Sequence, residues 1–232
     1  MKFLYYTDWY KKRLEKIINI FGSDWFAGKK ILELGACHGD IGIELIKLGA
    51  KVTFADYRQE HLDSISEKLK DYAFLNCEFI QLDQETKWNL NSKYDLVLHL
   101  GVLYHLKNWK QDLECAMQHS NTMILESLVH NNIFPDTIKK VNVDPFTEKY
   151  HGKNPKELSF FCQESVEATL NKIDCRHIRF DNENLNSNIC WERDSILVKH
   201  MYNWDYNNNF SNLHKNEFKV LVHHRRFWLV VK

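Results

Sequence analysis

The sequence predicts an α/β protein: a mostly parallel sheet with helices on both faces and an antiparallel strand at the C-terminal end. Three observations carry that expectation. Short apolar runs of strand character alternate with stretches of helical periodicity between about residues 30 and 127, and such alternation implies a parallel sheet covered by helices. The rhythm breaks after Ser127, where all three prolines of the chain fall within residues 130–160. The chain then closes on EFKVLVHHRRFWLVVK, an alternating run suited to a strand with one face in the core.

In order, residues 9–21 read as an amphipathic leading helix, and KKILELG as a buried strand. HGDIGIELIKLG carries apolar residues at helical spacing and stops at Gly49, and KVTFAD is a second strand. A helix over about residues 60–72, a strand CEFIQLD, a polar connector and a strand KYDLVLHLG follow. Residues 109–118 read as a helix and TMILES as the next strand. Residues 130–160, with the lysine-rich KYHGKNPK, read as an inserted lid. A helix at 163–172, a strand at about 174–180 and an asparagine-rich irregular segment to Asn216 precede the last strand. One domain is expected, with 1–29 as a helical leader, 30–127 as the core, and 128–160 and 181–216 as lids over a pocket.

Composition narrows the function. With 31 Lys plus Arg against 31 Asp plus Glu, no net field draws the chain to nucleic acid or an anionic membrane, which favours a small or mixed-charge partner. The longest apolar run, around residues 96–106, is interrupted by His99 and His105 and is too short to span a bilayer. The apolar stretch before Asp8 is too short for a secretory signal, so a cytoplasmic protein is expected. Cys37, Cys77, Cys115, Cys162, Cys175 and Cys190 form no CxxC pair, and His130, His151 and His223 lack ligand spacing. Reduced thiols and no metal are expected.

The stretch ILELGACHGDIG, residues 31–42, holds three glycines after an acid. A dinucleotide loop needs GxGxxG so that amides approach a pyrophosphate; counted from Gly35, the required positions hold Cys37 and Asp40. A carboxylate at Asp40 would also sit where phosphates belong. The phosphate loop GxxxxGK[ST] is absent.

The pattern present is acid-x-Gly-x-x-x-Gly: Glu33, Gly35 and Gly39. It resembles the first motif, ExGxGxG, of the class I S-adenosylmethionine (SAM) dependent methyltransferases, with Cys37 where the middle glycine often stands. Asp56 closes the second strand about 20 residues beyond Gly35, Asp83 lies in the QLD step, and YDLVLHLG carries Asp95 and then His99 to Gly101. The resemblance covers residues 30–127. It implies a Rossmann-like, seven-stranded sheet and SAM as cofactor, with S-adenosylhomocysteine (SAH) as product. It further implies cofactor contacts from Glu33, Gly35, Ala36, Cys37, Gly39, Asp56, Tyr57, Asp83, Gln84 and Leu100, with Asp56 taking both ribose hydroxyls, Asp83 accepting a hydrogen bond from the adenine amino group and the end of the fourth strand beside the methyl group.

GVLYHL, residues 101–106, follows the fourth strand, beyond whose carboxyl end ligands sit in open α/β sheets. Tyr104 is read as orienting the acceptor or touching the sulfonium with its ring face. His105 or His99 is the candidate base for an acceptor that must lose a proton; the bland alternatives are a pocket wall for Tyr104 and a backbone-bonded helix-start residue for His105. The same hexapeptide resembles a segment of the tRNA uridine carboxymethyltransferases, which use carboxylated SAM and keep a basic residue for the extra carboxylate; Arg58 is the conceivable substitute here. The terminal HHRRFW could serve RNA by stacking and phosphate contact, or could be strand core. Methyl transfer by in-line displacement to a small-molecule O, N or C acceptor is the expected function, with an RNA-modifying enzyme or a non-catalytic SAM-fold binding protein as alternatives.

Overall fold

The computed structural model describes residues 4–70, 77–129, 136–141, 156–180 and 224–232. A leading helix α1 (Leu4–Phe21) and a 3-10 turn (Ser23–Phe26) precede the alternating core. That core is β1 (Lys30–Leu34), α2 (Asp40–Lys47), β2 (Lys51–Asp56), α3 (Gln59–Leu69), β3 (Cys77–Gln81), β4 (Leu96–Leu100), a 3-10 turn (Leu103–His105), α4 (Trp109–His119) and β5 (Thr122–Val129). The rest is β6 (Thr137–Val141), β7 (Lys156–Phe160), a helix α5 (Gln163–Lys172), β8 (Arg176–Phe180) and β9 (His224–Val231).

Seven strands form one sheet in the order β3-β2-β1-β4-β5-β9-β8. The first five are parallel, and β9 runs antiparallel between β5 and β8. The expected Rossmann-like seven-stranded sheet with an antiparallel C-terminal strand is thus the observed one. The strand order reverses between β1 and β4, which opens a crevice beyond their carboxyl ends.

Alternation along each strand divides the core in two. Ile31, Val52, Phe54, Leu96, Leu98 and Ile124 face α1, α2 and α3, where Ile17, Leu45 and Ile65 meet them. Leu32, Leu34, Val97, Met123 and Leu125 face α4 and α5, packing on Leu113, Ala116, Val166 and Leu170. Each such side chain contributes roughly 1.5–3 kcal/mol when fully buried. The helices are charged to suit their dipoles: Asp40, Glu60 and Glu164 lie in first turns, and Lys47, Lys68 and Lys172 in last turns.

Several boundaries differ from the sequence expectation, each for a visible reason. The leading helix starts by Leu4, before residue 9. Strand β3 stops at Gln81 because the chain turns there: the Asp83 side chain accepts the Glu85 amide at 2.9 Å and Thr86 Oγ1 donates to the Asp83 carbonyl at 3.0 Å. Strand β4 starts at Leu96; Asp95 precedes it, and its carboxylate takes the Lys30 amide at 2.8 Å. Strand β5 runs on to Val129 because β9 pairs with it from Thr122 to Val129. Strand β9 buries both faces: Phe227 packs with the α1–α3 layer, Trp228 and Val230 with the α4–α5 layer.

Within the region read as a lid, β6 and β7 form a separate two-stranded antiparallel sheet. It leans on the turn after β4: Ser159 Oγ donates to the Leu106 carbonyl at 2.7 Å, and Lys107 pairs with Glu157. Residues 181–223, including Cys190, Trp191, Tyr202 and Trp204, lie outside the described residues, as do Tyr150 and His151. Among the described residues no helix is long and apolar enough to cross a membrane, and no His/Cys/Asp/Glu group could hold a metal ion.

Candidate functional site

The loop after β1 is built from backbone that favours glycine. Gly35 and Gly39 have φ of +61° and +66°, and Cys37, a non-glycine, holds +50°. A Cβ on Gly35 would lie 2.2 Å from Val102 Cγ2, and one on Gly39 2.9 Å from Ile65 Cγ1. Their first role is close packing against the turn after β4 and against α3. Gly42 carries the same constraint: a Cβ there would sit 2.3 Å from Glu33 Oε2 and 2.4 Å from Phe54 Cε1.

Hydrogen bonds tie the strand tips together. The Ala36 amide donates to the Ala55 carbonyl at 3.1 Å, and the Leu82 amide to the Asp56 carbonyl at 2.9 Å. The Cys37 amide donates to Asp56 Oδ2 at 2.8 Å, and the Arg58 amide to Oδ1 at 2.9 Å. His61 of α3 leans over the same carboxylate, with Nδ1 3.1 Å from Oδ1. Burial alone pushes the Asp56 carboxyl up, but His61 and the two amides outweigh it and hold the group below its ordinary range. Lys68 Nζ donates to the His38 carbonyl at 2.6 Å and pins the loop to α3.

Glu33 is treated differently. Its carboxyl is buried, accepts the Gly42 amide at 3.0 Å, and is pushed up to about 8, chiefly by burial. Arg13 of α1 crosses this face of the sheet and pairs with the buried Glu126 of β5. The leading helix is thereby tied to the face of the sheet that carries Glu33.

The other expected site residues are distributed unevenly. Tyr57 stands 66% exposed beside Asp56, with its carbonyl taking Gln81 Nε2 at 3.1 Å. Asp83 is exposed beyond β3, whereas Gln84 turns inward to Asp112, its Nε2 lying 3.2 Å from both carboxylate oxygens. His99 is fully buried on the α4 side, with Nε2 2.6 Å from Asp112 Oδ2. Trp88 Nε1 donates to Asp112 Oδ1 at 2.8 Å, so one carboxylate gathers three side chains. Tyr104 is buried, its ring centroid 4.2 Å from that of the half-buried His105. The loop after β1, Asp56, Tyr57 and Leu100 are therefore brought together at the strand tips, while His99 and Gln84 point into a polar knot behind them.

Sequence reasoning passed over Asp112, His61, Arg13 and Glu126. Asp112 lies in the first turn of α4, where an acid ordinarily faces solvent and complements the dipole, so nothing local signalled its burial. His61 left one signal: the third residue of a helix that starts just after a strand-end acid leans back toward that acid.

Residues 32–121 match the family described as a methyltransferase domain. The histidine protein methyltransferase 1 homolog of Dictyostelium discoideum is 29% identical over 101 residues, which cover 40% of this chain and 32% of that protein. The chain thus matches about a third of that relative's length. The N-terminal domain of EvdMO1, solved in the presence of SAH and D-fucose, has a TM-score of 0.61 at 16% identity, covering 95% of this chain and 81% of that one. YcgJ from Bacillus subtilis has a TM-score of 0.63 at 10% identity, covering 96% and 98%.

Proposed function

We propose that this protein, whose residues 32–121 match a methyltransferase-domain family, is a class I SAM-dependent methyltransferase that moves the SAM methyl group to an O, N or C acceptor by direct in-line displacement. The observation that carries the reading is the junction of strand tips at the switch point, where the Asp56 carboxylate clamps the glycine loop through the Cys37 amide. SAM is the cofactor and SAH the product. The donor set suits a cation that also bears hydroxyls: an ionised acid at Asp56, a second acid at Glu33, an exposed acid at Asp83 and an exposed ring at Tyr57. Asp56 takes ribose, Tyr57 and Asp83 the adenine, and Glu33, Gly35, Ala36, Cys37, Gly39 and Leu100 the methionine end.

When bound, SAM supplies an activated methyl group with a good leaving group. The chain's task is to hold the acceptor atom about 3 Å from that methyl and in line with the breaking bond. In this reading His105, half-buried beside Tyr104, receives a proton where the acceptor must lose one. His99 does not serve, because Asp112 holds its Nε2 and it has no exposed surface. Gln84 likewise supports the adenine loop through Asp112 and does not touch the ligand with its side chain. The acceptor is a small molecule, roofed by the β6–β7 sheet and residues 181–216; the chain's zero formal net charge supports this over RNA. Scattered cysteines with no CxxC pair support a cytoplasmic setting.

Calorimetry with SAM, SAH and NAD tests the cofactor, and labelled SAM with a panel of acceptors tests transfer. Micromolar binding of SAM and SAH with none of NAD is the expected result. Binding of NAD alone, or of no adenosyl compound, would remove the reading.

A further inference from the structure

Two successive residues of the loop after β3 grip the start of α4, one from inside and one from the surface. Gln84 turns inward to Asp112 in the first turn of the helix. Glu85 is half-buried, and its carboxylate accepts the Lys107 amide at 3.1 Å on Oε1 and 3.0 Å on Oε2, and the Asn108 amide at 3.3 Å on Oε2. Asn108 Nδ2 returns a bond to the Glu85 carbonyl at 2.9 Å. Asn108 is the N-cap of α4 and makes no side-chain capping bond, so a carboxylate from a different loop satisfies amides at the helix entrance. Bonds to a carboxylate are about twice as strong as neutral ones.

The turn held in this way carries Tyr104 and His105. Its β4 end is tied to the same helix, because Asp112 also holds His99. Its far side carries the β6–β7 sheet: Ser159 Oγ donates to the Leu106 carbonyl at 2.7 Å, and Lys107 pairs with Glu157. Lys107 therefore gives its amide to the loop after β3 and its ammonium to β7. At the other end of the chain of bonds, the Asp83 carboxylate accepts the Glu85 amide at 2.9 Å. From Asp83 to β7 every step is a hydrogen bond or an ion pair between groups in contact. A group that fixes Asp83 thus fixes Glu85, and through it the turn and the sheet that leans on it.

We propose that Glu85 is a positioning residue that ties adenine occupancy at Asp83 to the placement of Tyr104, His105 and the β6–β7 roof, so that a seated cofactor sets the acceptor site. The assignment rests on the adenine and roof readings above. It couples two sites that share no ligand contact, and by reciprocity an acceptor held under the roof tightens the adenine end of the cofactor site.

Amide hydrogen exchange on the full chain tests it, with saturating SAH or S-inosylhomocysteine, which has a carbonyl in place of the adenine amino group. SAH should slow exchange in residues 101–108 and 156–160 about five- to tenfold, the scale of one hydrogen bond. The inosyl compound, which gives Asp83 no donor, should slow both by about twofold or less. Glu85→Ala should bind SAH within about threefold of wild type and lose the slowing in both segments. Glu85→Gln keeps an oxygen for the two amides and should restore part of it, which a general loosening of the loop would not allow. Ser159→Ala should keep the slowing in 101–108 and lose it in 156–160, and with Glu85→Gln it carries the test if the alanine variant at 85 does not fold. Equal slowing by the two ligands, none at 156–160 in the wild-type chain, or undiminished slowing there in Glu85→Ala would overturn the proposal while leaving the cofactor reading intact. Failure of the wild-type chain to bind SAH would remove that reading, and the proposal with it.

Discussion

Glu33 on β1 and Asp56 at the end of β2 are acids on neighbouring parallel strands, and both point to the α1–α3 side of the sheet. Glu33 pairs in register with Phe54, two residues before Asp56. Their environments then diverge. Asp56 meets two backbone amides and an imidazole, so it stays ionised below the ordinary carboxylate range. Glu33 meets one amide and is pushed up to about 8 by burial, with Asp40 and Asp56 adding repulsion that Arg13 only partly offsets. Strand position alone therefore does not set an acid's charge; the depth of its burial and the donors around it do. On the proposed reading, the ribose end at Asp56 is charged before any ligand arrives, whereas the methionine end at Glu33 holds a proton that a cation can expel.

Removing Asp56 should have the largest effect. Asp56→Ala strips the acceptor from two part-buried amides and, on the proposed reading, from the ribose, so SAM and SAH affinity should both fall about 100-fold. Stability should drop by about 2 kcal/mol, read by urea denaturation. The two ligands should lose equally, since the ribose is common to both. A loss confined to SAM would place Asp56 at the sulfonium and dissolve the contrast between the two ends.

Glu33 gives the next effect and the opposite signature. In the free protein its carboxyl keeps a proton that the unfolded chain releases between about 4.5 and 8. Stability from this group is therefore greatest below 4.5 and declines as pH rises through that window. A sulfonium beside the carboxyl favours the ionised form, so SAM binding releases a proton and SAM affinity should rise roughly five- to tenfold from pH 6 to 8. SAH lacks that charge and should show a shallower slope. Glu33→Gln should flatten the SAM profile toward that of SAH and raise stability at pH 8 by about 1–2 kcal/mol. Parallel slopes for both ligands in the wild-type chain would assign the proton to some other group.

The sheet was readable from the sequence because β-α alternation, apolar periodicity and strand-end acids are local signals, and all five parallel strands occur where those signals stand. The last strand occupies the described part of its expected run, residues 217–223 lying outside the described residues, but its one-faced burial does not hold: insertion between β5 and β8 is a long-range pairing that alternation alone does not encode. The site was readable less evenly. Asp56 and the glycine loop carry their spacing in the sequence, whereas the inward turn of His99 and Gln84 depends on Asp112, which joins them from 13 and 28 residues away. Nor could the glycines reveal that Val102 and Ile65 fill the space their missing side chains leave.

Cys37 offers the smallest and sharpest test of how rigid the ribose end is. Its φ of +50° lies in the left-handed region, which costs a side-chain-bearing residue about 1–2 kcal/mol, and its amide is held there by Asp56. Glycine would relieve that strain at an entropic cost of about 0.5–1 kcal/mol. The net gain for Cys37→Gly should be about 0.5–1 kcal/mol, seen as a small rise in melting temperature, with SAM and SAH affinities within twofold of wild type. Because the amide-to-carboxylate bond does not involve the thiol, a fall in affinity for both ligands would mean that the cysteine side chain, and not the backbone clamp, shapes the loop. A fall for SAM alone would move Cys37 toward the sulfonium and enlarge the adaptable end of the site at the expense of the fixed one.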